Sequence, residues 1–82
     1  MKTLFMPRTG REVRAARVLA GLSQAELACT AELHRNSVCR VENMRRIPTR
    51  DYATEHVVSA LSKLGITFND YPGYGISIKQ KG

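Results

Sequence analysis

The sequence predicts a small, mainly α domain of four to five helices, with a helix-turn-helix pair and a short C-terminal β-strand pair. Three observations support this class. The 82 residues and 43% hydrophobic content allow one domain with a modest core. Capping boxes, in which a hydroxyl residue is followed three places later by Glu, begin at Thr9 and Ser23. After Gly65, apolar residues change from helical spacing to strict alternation.

The capping boxes place the first two helices. Thr9 begins a helix over about residues 10–20, which Gly21 ends because glycine readily takes the left-handed conformation there. Ser23 begins a short second helix over about residues 24–30.

A third helix is predicted over about residues 34–43. Pro48 interrupts the pattern, because proline lacks an amide hydrogen and restricts the residue before it. We expect Thr49 to cap a fourth helix that reaches about residue 64.

Residues 65–82 form the predicted β extension, in which Ile66 and Phe68 alternate with polar residues, as do Ile76 and Ile78. Two isolated strands are marginally stable in water, so this pair must pack on the helices or be completed by another chain. We expect these four residues to form a dimer contact, with strands from both chains in one sheet and their apolar face against Leu61 and Leu64. The alternative is that the hairpin covers its own core and helices make the dimer.

The charge distribution indicates an anionic partner. The net charge is +6, and all nine arginines lie between Arg8 and Arg50, a stretch with only four acidic residues. Clustered arginine is typical of phosphate recognition. A solvated charged surface is the alternative that composition alone leaves open.

Other function classes lack their signals in this sequence. No apolar run approaches the roughly 20 residues of a membrane span, and the apolar patch near the start is too short for a secretory signal. We therefore expect a cytoplasmic protein. Cys29 and Cys39, with two distant histidines, fit no metal or disulfide framework. Because no nucleophile–base set or phosphate-binding glycine loop is present, we expect neither an enzyme nor a cofactor.

The third helix has two contrasting faces. At 100° per residue, Val38 and Val41 define a core side, and Asn36, Arg40 and Asn43 lie nearly opposite. Arginine and asparagine can form paired hydrogen bonds to guanine and adenine edges, so the helix suits a major groove. The alternative is an ordinary solvated polar face.

These segments resemble a known family. GLSQAELA, a turn, HRNSVCRVEN and a basic stretch before Pro48 resemble the Cro/cI-like DNA-binding domains, or XRE family, over about residues 10–64. The matching residues are Arg17, Leu22, Ser23, Gln24, Leu27, Ala28, Val38, Arg40, Glu42 and Asn43. Residues 1–9 would then be an N-terminal arm, and the tail is similar to that of a small bacterial subgroup that appends a strand region.

The resemblance implies a prokaryotic or phage-like regulator of transcription, a repressor or modulator, that binds double-stranded DNA as a homodimer on a two-fold symmetric site. The implied base-reading residues are Arg35, Asn36 and Arg40, with His34 and Ser37 beside them. The implied phosphate-binding residues are Gln24, Arg45, Arg46 and Arg50. The resemblance also implies a structural ion pair between Arg17 and Glu42, which would partner a charge on the core side of the first helix.

Two positions depart from the family pattern. Glu32 occupies the turn where the family usually has glycine, and a left-handed conformation there would cost a non-glycine residue roughly 1 kcal/mol. Met44 replaces a common glycine after the third helix, which makes Asn43 the candidate for a left-handed position.

Two alternative roles remain open at this point. The same fold could serve as a protein-interaction module that binds and blocks another regulator, although such a module would not need the arginine face. Cys39 lies near the reading face and could act as a redox switch, but free cysteine most often behaves as a small apolar residue.

Overall fold

The structure, a computed structural model, describes residues 6–68 and the backbone of residues 76–78. The helices are α1 (Gly10–Leu19), α2 (Gln24–Ala31), α3 (Arg35–Glu42) and α4 (Tyr52–Lys63), and the strands are β1 (Ile66–Phe68) and β2 (Ile76–Ile78). The mainly helical class and the strand pair agree with the sequence prediction. The start of the predicted arm, the side chains of Ile76 and Ile78 and the remainder of the extension lie outside the described residues.

One apolar core joins all four helices and β1. Its buried side chains are Val13, Ala16, Leu27, Ala28, Ala31, Val38, Val41, Ile47, Ala53, Val57, Val58, Ala60, Leu61, Ile66 and Phe68. The helices therefore pack on a shared interior, and each is held by the others rather than by its own propensity.

Both predicted capping boxes are present. At α1 the Glu12 carboxylate accepts hydrogen bonds from the backbone N–H groups of Arg8 and Thr9, at 2.8 and 2.9 Å. At α2 the Ser23 hydroxyl accepts from the Glu26 N–H at 3.0 Å, and the Glu26 carboxylate accepts from the Ser23 N–H at 2.8 Å. These bonds satisfy amides that have no partner within the helix.

The caps of α3 and α4 differ from the sequence prediction. His34 is the N-cap of α3 rather than its first residue, and its Nδ1 accepts from the Asn36 N–H at 3.1 Å. Asp51, and not Thr49, caps α4 and accepts from the Thr54 N–H at 3.0 Å. The Thr49 prediction was wrong because residues 49–50 form a bend before the helix begins, which leaves Asp51 adjacent to the first turn.

The turn between α2 and α3 contains a strained residue. Glu32 has φ 58° and ψ 43°, the left-handed conformation that glycine adopts at little cost. Asn43, by contrast, is right-handed at φ −92° and ψ −1°, so the expectation of a left-handed residue there was wrong. The chain after α3 is held instead by Gly10 N–H donating to the Met44 carbonyl at 2.9 Å.

The start of α1 lies directly against the end of α3. A Cβ atom on Gly10 would lie 2.4 Å from the backbone carbonyl oxygens of Val41 and Glu42. Only glycine permits this approach, which fixes where α1 crosses α3.

The strand pair is antiparallel, with Ile66 opposite Ile78 and Phe68 opposite Ile76. Ile66 and Phe68 are each only 3% exposed and belong to the chain's own core. This burial agrees with the expectation that the apolar face of the strands packs on the chain's own helices, and the dimer contact itself stays a prediction. A dimer contact through this region would have to use the backbone edge of the strand pair.

We expect Glu32→Gly to raise the free energy of unfolding by up to about 1 kcal/mol, because it relieves left-handed strain at some cost in unfolded-chain entropy. Urea denaturation measures the change as a higher midpoint at constant slope. Glu32→Gln, which removes the charge and keeps the strained side chain, should leave most of the strain in place.

Ala25→Gly is the matched backbone control, since Ala25 is exposed inside α2. Because Ala25 lies in the first turn of α2, the substitution should lower stability by up to about 1 kcal/mol. A Glu32→Gly variant that loses stability as Ala25→Gly does would show that the turn carries no strain.

Candidate nucleic-acid interface

The exposed face of α3 carries the residues predicted to read bases. Arg35, Asn36 and Arg40 are all exposed, whereas Val38 and Val41 on the opposite side are 0% exposed. The helix has eight residues and is therefore about 12 Å long. It is a short, rigidly backed element with polar donors and acceptors on its outer side.

His34 and Ser37 contribute mainly to the start of α3. The Nδ1 atom of His34 is occupied by its cap bond to the Asn36 N–H. Ser37 is half-buried, and its backbone N–H donates to the His34 carbonyl at 2.9 Å. Both lie beside the predicted reading residues, but their described contacts are structural.

The predicted ion pair between Arg17 and Glu42 is present. Arg17 Nε lies 2.6 Å from Glu42 Oε2, and Arg17 Nη2 donates to Glu42 Oε1 at 3.2 Å. The side chains are 13% and 3% exposed, respectively. Arg17 Nη1 also donates to the Leu22 carbonyl at 2.8 Å, so one guanidinium joins α1, the approach to α2 and the end of α3.

Gln24, predicted to bind phosphate, is part of the same network. Its Nε2 donates to Glu42 Oε1 at 3.1 Å. A side-chain amide carries two N–H groups, so one donor remains for another acceptor. The contact fixes Gln24 at the first turn of α2, where helix amides favour an anion.

Two arginines on α1 extend the basic surface, and the sequence reasoning missed them. Arg14 borders an open cleft that Arg35, Gln24 and Asn43 also line, and Arg11 borders a neighbouring cleft with Arg45. Their positions off the apolar side of α1 were visible in the sequence. What the sequence did not give was that α1 lies beside α3.

Three further arginines follow α3 in the chain. Arg45, Arg46 and Arg50 are exposed. The first two sit in a segment held to the chain before α1, where the Ile47 N–H donates to the Arg8 carbonyl at 2.8 Å. The backbone of Arg45 and Arg46 is therefore held in place relative to α1 and α3, which a contact with flanking phosphates would require.

Arg40 has a partner that the sequence did not reveal. Its Nη1 lies 3.6 Å from Asp51 Oδ1, an ion pair at a distance too long for a hydrogen bond. Burial of the Asp51 carboxyl acts to raise its pKa, but hydrogen bonds from Thr54 and the charge of Arg40 outweigh burial, and the pKa lies below its usual value. Asp51 is therefore a carboxylate at neutral pH.

Residues 6–68 and 76–78 contain no group of three His, Cys, Asp or Glu side chains able to hold a metal ion. Cys29 and Cys39 are free thiols, and the Asn43 side-chain amide donates to the Cys39 sulfur at 3.5 Å. None of the described helices combines the length and apolar character needed to cross a membrane.

No family model matches this chain, and neither does any curated protein. Assignment to the Cro/cI-like domains is therefore a proposal that depends on the residues and geometry above.

Loss of either partner of the Arg17–Glu42 pair should destabilise the fold by about 3–5 kcal/mol, because the other charge would be left buried without its partner. The variants are Arg17→Met, Glu42→Leu and the double replacement, compared by thermal and urea denaturation. The double variant should recover much of the loss, since two apolar side chains require no ionic partner.

Arg14→Met is the matched control, because Arg14 is an exposed arginine on the same helix. It should change stability by no more than about 0.5 kcal/mol. Additive losses in the Arg17 and Glu42 variants would show that the pair is not coupled.

Proposed function

We propose that this protein is a sequence-specific double-stranded DNA-binding regulator of transcription, in which α2 and α3 form a Cro/cI-like helix-turn-helix. The observation that carries the proposal is the outer face of α3. Arg35, Asn36 and Arg40 are exposed there on a helix whose valines are fully buried behind them. Such a helix presents base-reading side chains without changing its own position.

The dimensions support entry of α3 into a major groove. The groove of B-DNA is about 12 Å wide, and an α-helix such as α3 has a diameter with side chains of about 10–12 Å, so it can enter. Arginine pairs with the O6 and N7 atoms of guanine, and asparagine pairs with the N6 and N7 atoms of adenine. We assign base reading to Arg35, Asn36 and Arg40.

Phosphate contacts would lie beside the exposed face of α3. Gln24 at the start of α2 and Arg14 on α1 line the same cleft as Arg35. Arg45 lines the neighbouring cleft with Arg14, and Arg46 follows it in the chain. Such contacts set orientation on the duplex, whereas the α3 side chains set sequence preference.

The protein would act as a homodimer, since dimers of such domains bind half-sites one helical turn, about 34 Å, apart. We assign the contact to the outer backbone edge of β2, because unpaired strand edges are templates for pairing. The dimer would repress or modulate transcription by occupying a two-fold symmetric site.

A protein-interaction role is the second candidate. Val18 and Leu19 are 61% and 54% exposed at the end of α1. This apolar surface takes no part in the proposed DNA contacts. A protein that selects no duplex but captures another regulator would have this function instead.

Selection of bound fragments from a random duplex pool should return a two-fold symmetric motif. Binding to that motif should weaken steeply with salt, since each neutralised phosphate adds about −0.9 to the slope of log K against log salt. Failure to enrich any duplex, or a slope near zero, would refute DNA binding.

Two variants in the same assay separate base reading from phosphate contact. Asn36→Ala should cost about 1–3 kcal/mol on the selected site and relax preference at one position. Arg46→Ala should weaken all duplexes alike and reduce the magnitude of the salt slope by about one. Unchanged sequence preference in Asn36→Ala would show that a different face of α3 meets the bases.

A chain ending at Gly75 tests the dimer contact. It lacks β2 but keeps every buried side chain described in the core, so it should remain helical. We expect it to sediment as a monomer and to bind a full palindrome no better than a half-site. A shortened chain that still sediments as a dimer would assign the contact to the helices.

A further inference from the structure

The contact between Arg40 and Asp51 joins the base-reading face of α3 to the start of α4. The two charged atoms are 3.6 Å apart, and the side chains differ greatly in exposure, at 54% for Arg40 and 13% for Asp51. Arg40 is thus held at one side while most of its surface remains open to a partner.

Asp51 is a fixed point in this contact. Its Oδ2 atom accepts from the Thr54 N–H at 3.0 Å and from the Thr54 hydroxyl at 2.6 Å. Thr54 is 0% exposed, so these bonds tie the carboxylate to the interior of the domain. The other oxygen, Oδ1, is the atom that meets Arg40.

We propose that Asp51 is a positioning residue that determines specificity: its fixed carboxylate directs Arg40 toward a guanine edge and prevents this arginine from acting as a phosphate contact. The inference depends on the proposed entry of α3 into the major groove. It adds to that function a residue outside α3 that never needs to touch DNA.

The chemistry of the guanidinium explains the first half of the proposal. Arginine has five N–H donors in a planar fork. With Nη1 turned toward Asp51, Nε and Nη2 remain as a parallel pair of donors, which matches the O6 and N7 acceptors of guanine. A long, flexible side chain held in this way also loses less freedom when it meets the base.

Repulsion explains the second half. A phosphate that approached Arg40 would also approach the Asp51 carboxylate, and like charges repel. A guanine edge carries no net charge and is not repelled in this way. Asp51 therefore disfavours non-specific binding more than specific binding, and such selective repulsion is a general source of specificity.

Asp51→Asn isolates the contact, because asparagine caps helices as well as aspartate does. The cap needs an oxygen at Thr54, so the amide NH₂ group of the variant would face Arg40 and replace an anionic acceptor with a donor. Equal melting temperatures would confirm that the cap is retained. Asp51→Ser, another capping residue without charge, serves as a second variant.

The measurement is discrimination, the ratio of affinities for the selected site and for the same site with one base pair changed. The changed pair is the one whose preference is relaxed by Arg40→Ala. We expect Asp51→Asn to lower discrimination about three- to tenfold, part of the preference that one paired contact supplies. Affinity for random duplex should rise, with a salt slope steeper by up to about 0.9 because one carboxylate no longer opposes phosphate.

Two controls connect the effect to Arg40. In an Arg40→Ala background, Asp51→Asn should leave discrimination unchanged. Glu55→Gln removes a different carboxylate from the first turn of α4, where Glu55 is exposed, and should also leave discrimination unchanged. In the absence of DNA, the pKa of Asp51 measured by NMR should rise in Arg40→Ala.

The outcomes separate this inference from the proposed function. A wild-type chain that enriches no duplex refutes DNA binding, and the inference with it. A wild-type chain that selects a site, together with an Asp51→Asn variant of unchanged discrimination, refutes the inference alone. An equal loss in the Arg40→Ala background would also overturn it, because Asp51 would then act through another residue.

Discussion

The ion pair between Arg17 and Glu42 is the contact on which the arrangement of the helices depends. It connects α1 to the end of α3, and through Gln24 and the Leu22 carbonyl it also fixes the start of α2. Two buried charges are costly unless their hydrogen-bonding groups are satisfied, and here the carboxylate accepts three hydrogen bonds. The position of three helices is therefore set by one polar network within a small apolar core.

The glycine at the start of α1 makes that network possible. Gly10 lets α1 approach the last turn of α3 more closely than any side chain would permit. This approach also places Arg11 and Arg14 beside the outer surface of α3. The basic surface is thus a consequence of helix packing, because its arginines come from separate elements that the core brings together.

Several residues in the candidate interface have a structural role as well as an exposed surface. His34 caps α3 with one ring nitrogen, Gln24 donates to Glu42, and Asp51 caps α4 while it faces Arg40. A side chain fixed by such bonds presents its remaining groups in a constant direction. This rigidity favours recognition that depends on geometry, as base reading does.

The sequence by itself determined the local features. The capping boxes at Thr9 and Ser23, the apolar spacing and the alternation after Gly65 gave the number and order of the elements, because these signals act over a few residues. The two faces of α3 followed from the same periodicity. The arginine content also indicated an anionic partner, although it did not show which arginines share a surface.

Only the tertiary structure decided the features that depend on distant residues. Glu32 takes the left-handed conformation, whereas Asn43 does not. The backbone after Asn43 is held by two hydrogen bonds, from the Gly10 N–H to the Met44 carbonyl and from the Ile47 N–H to the Arg8 carbonyl. How completely Ile66 and Phe68 are buried also depends on α4 and the rest of the core, which pack against β1. Asp51 meets Arg40 across a bend, and periodicity within one helix carries no information about the direction in which the chain returns.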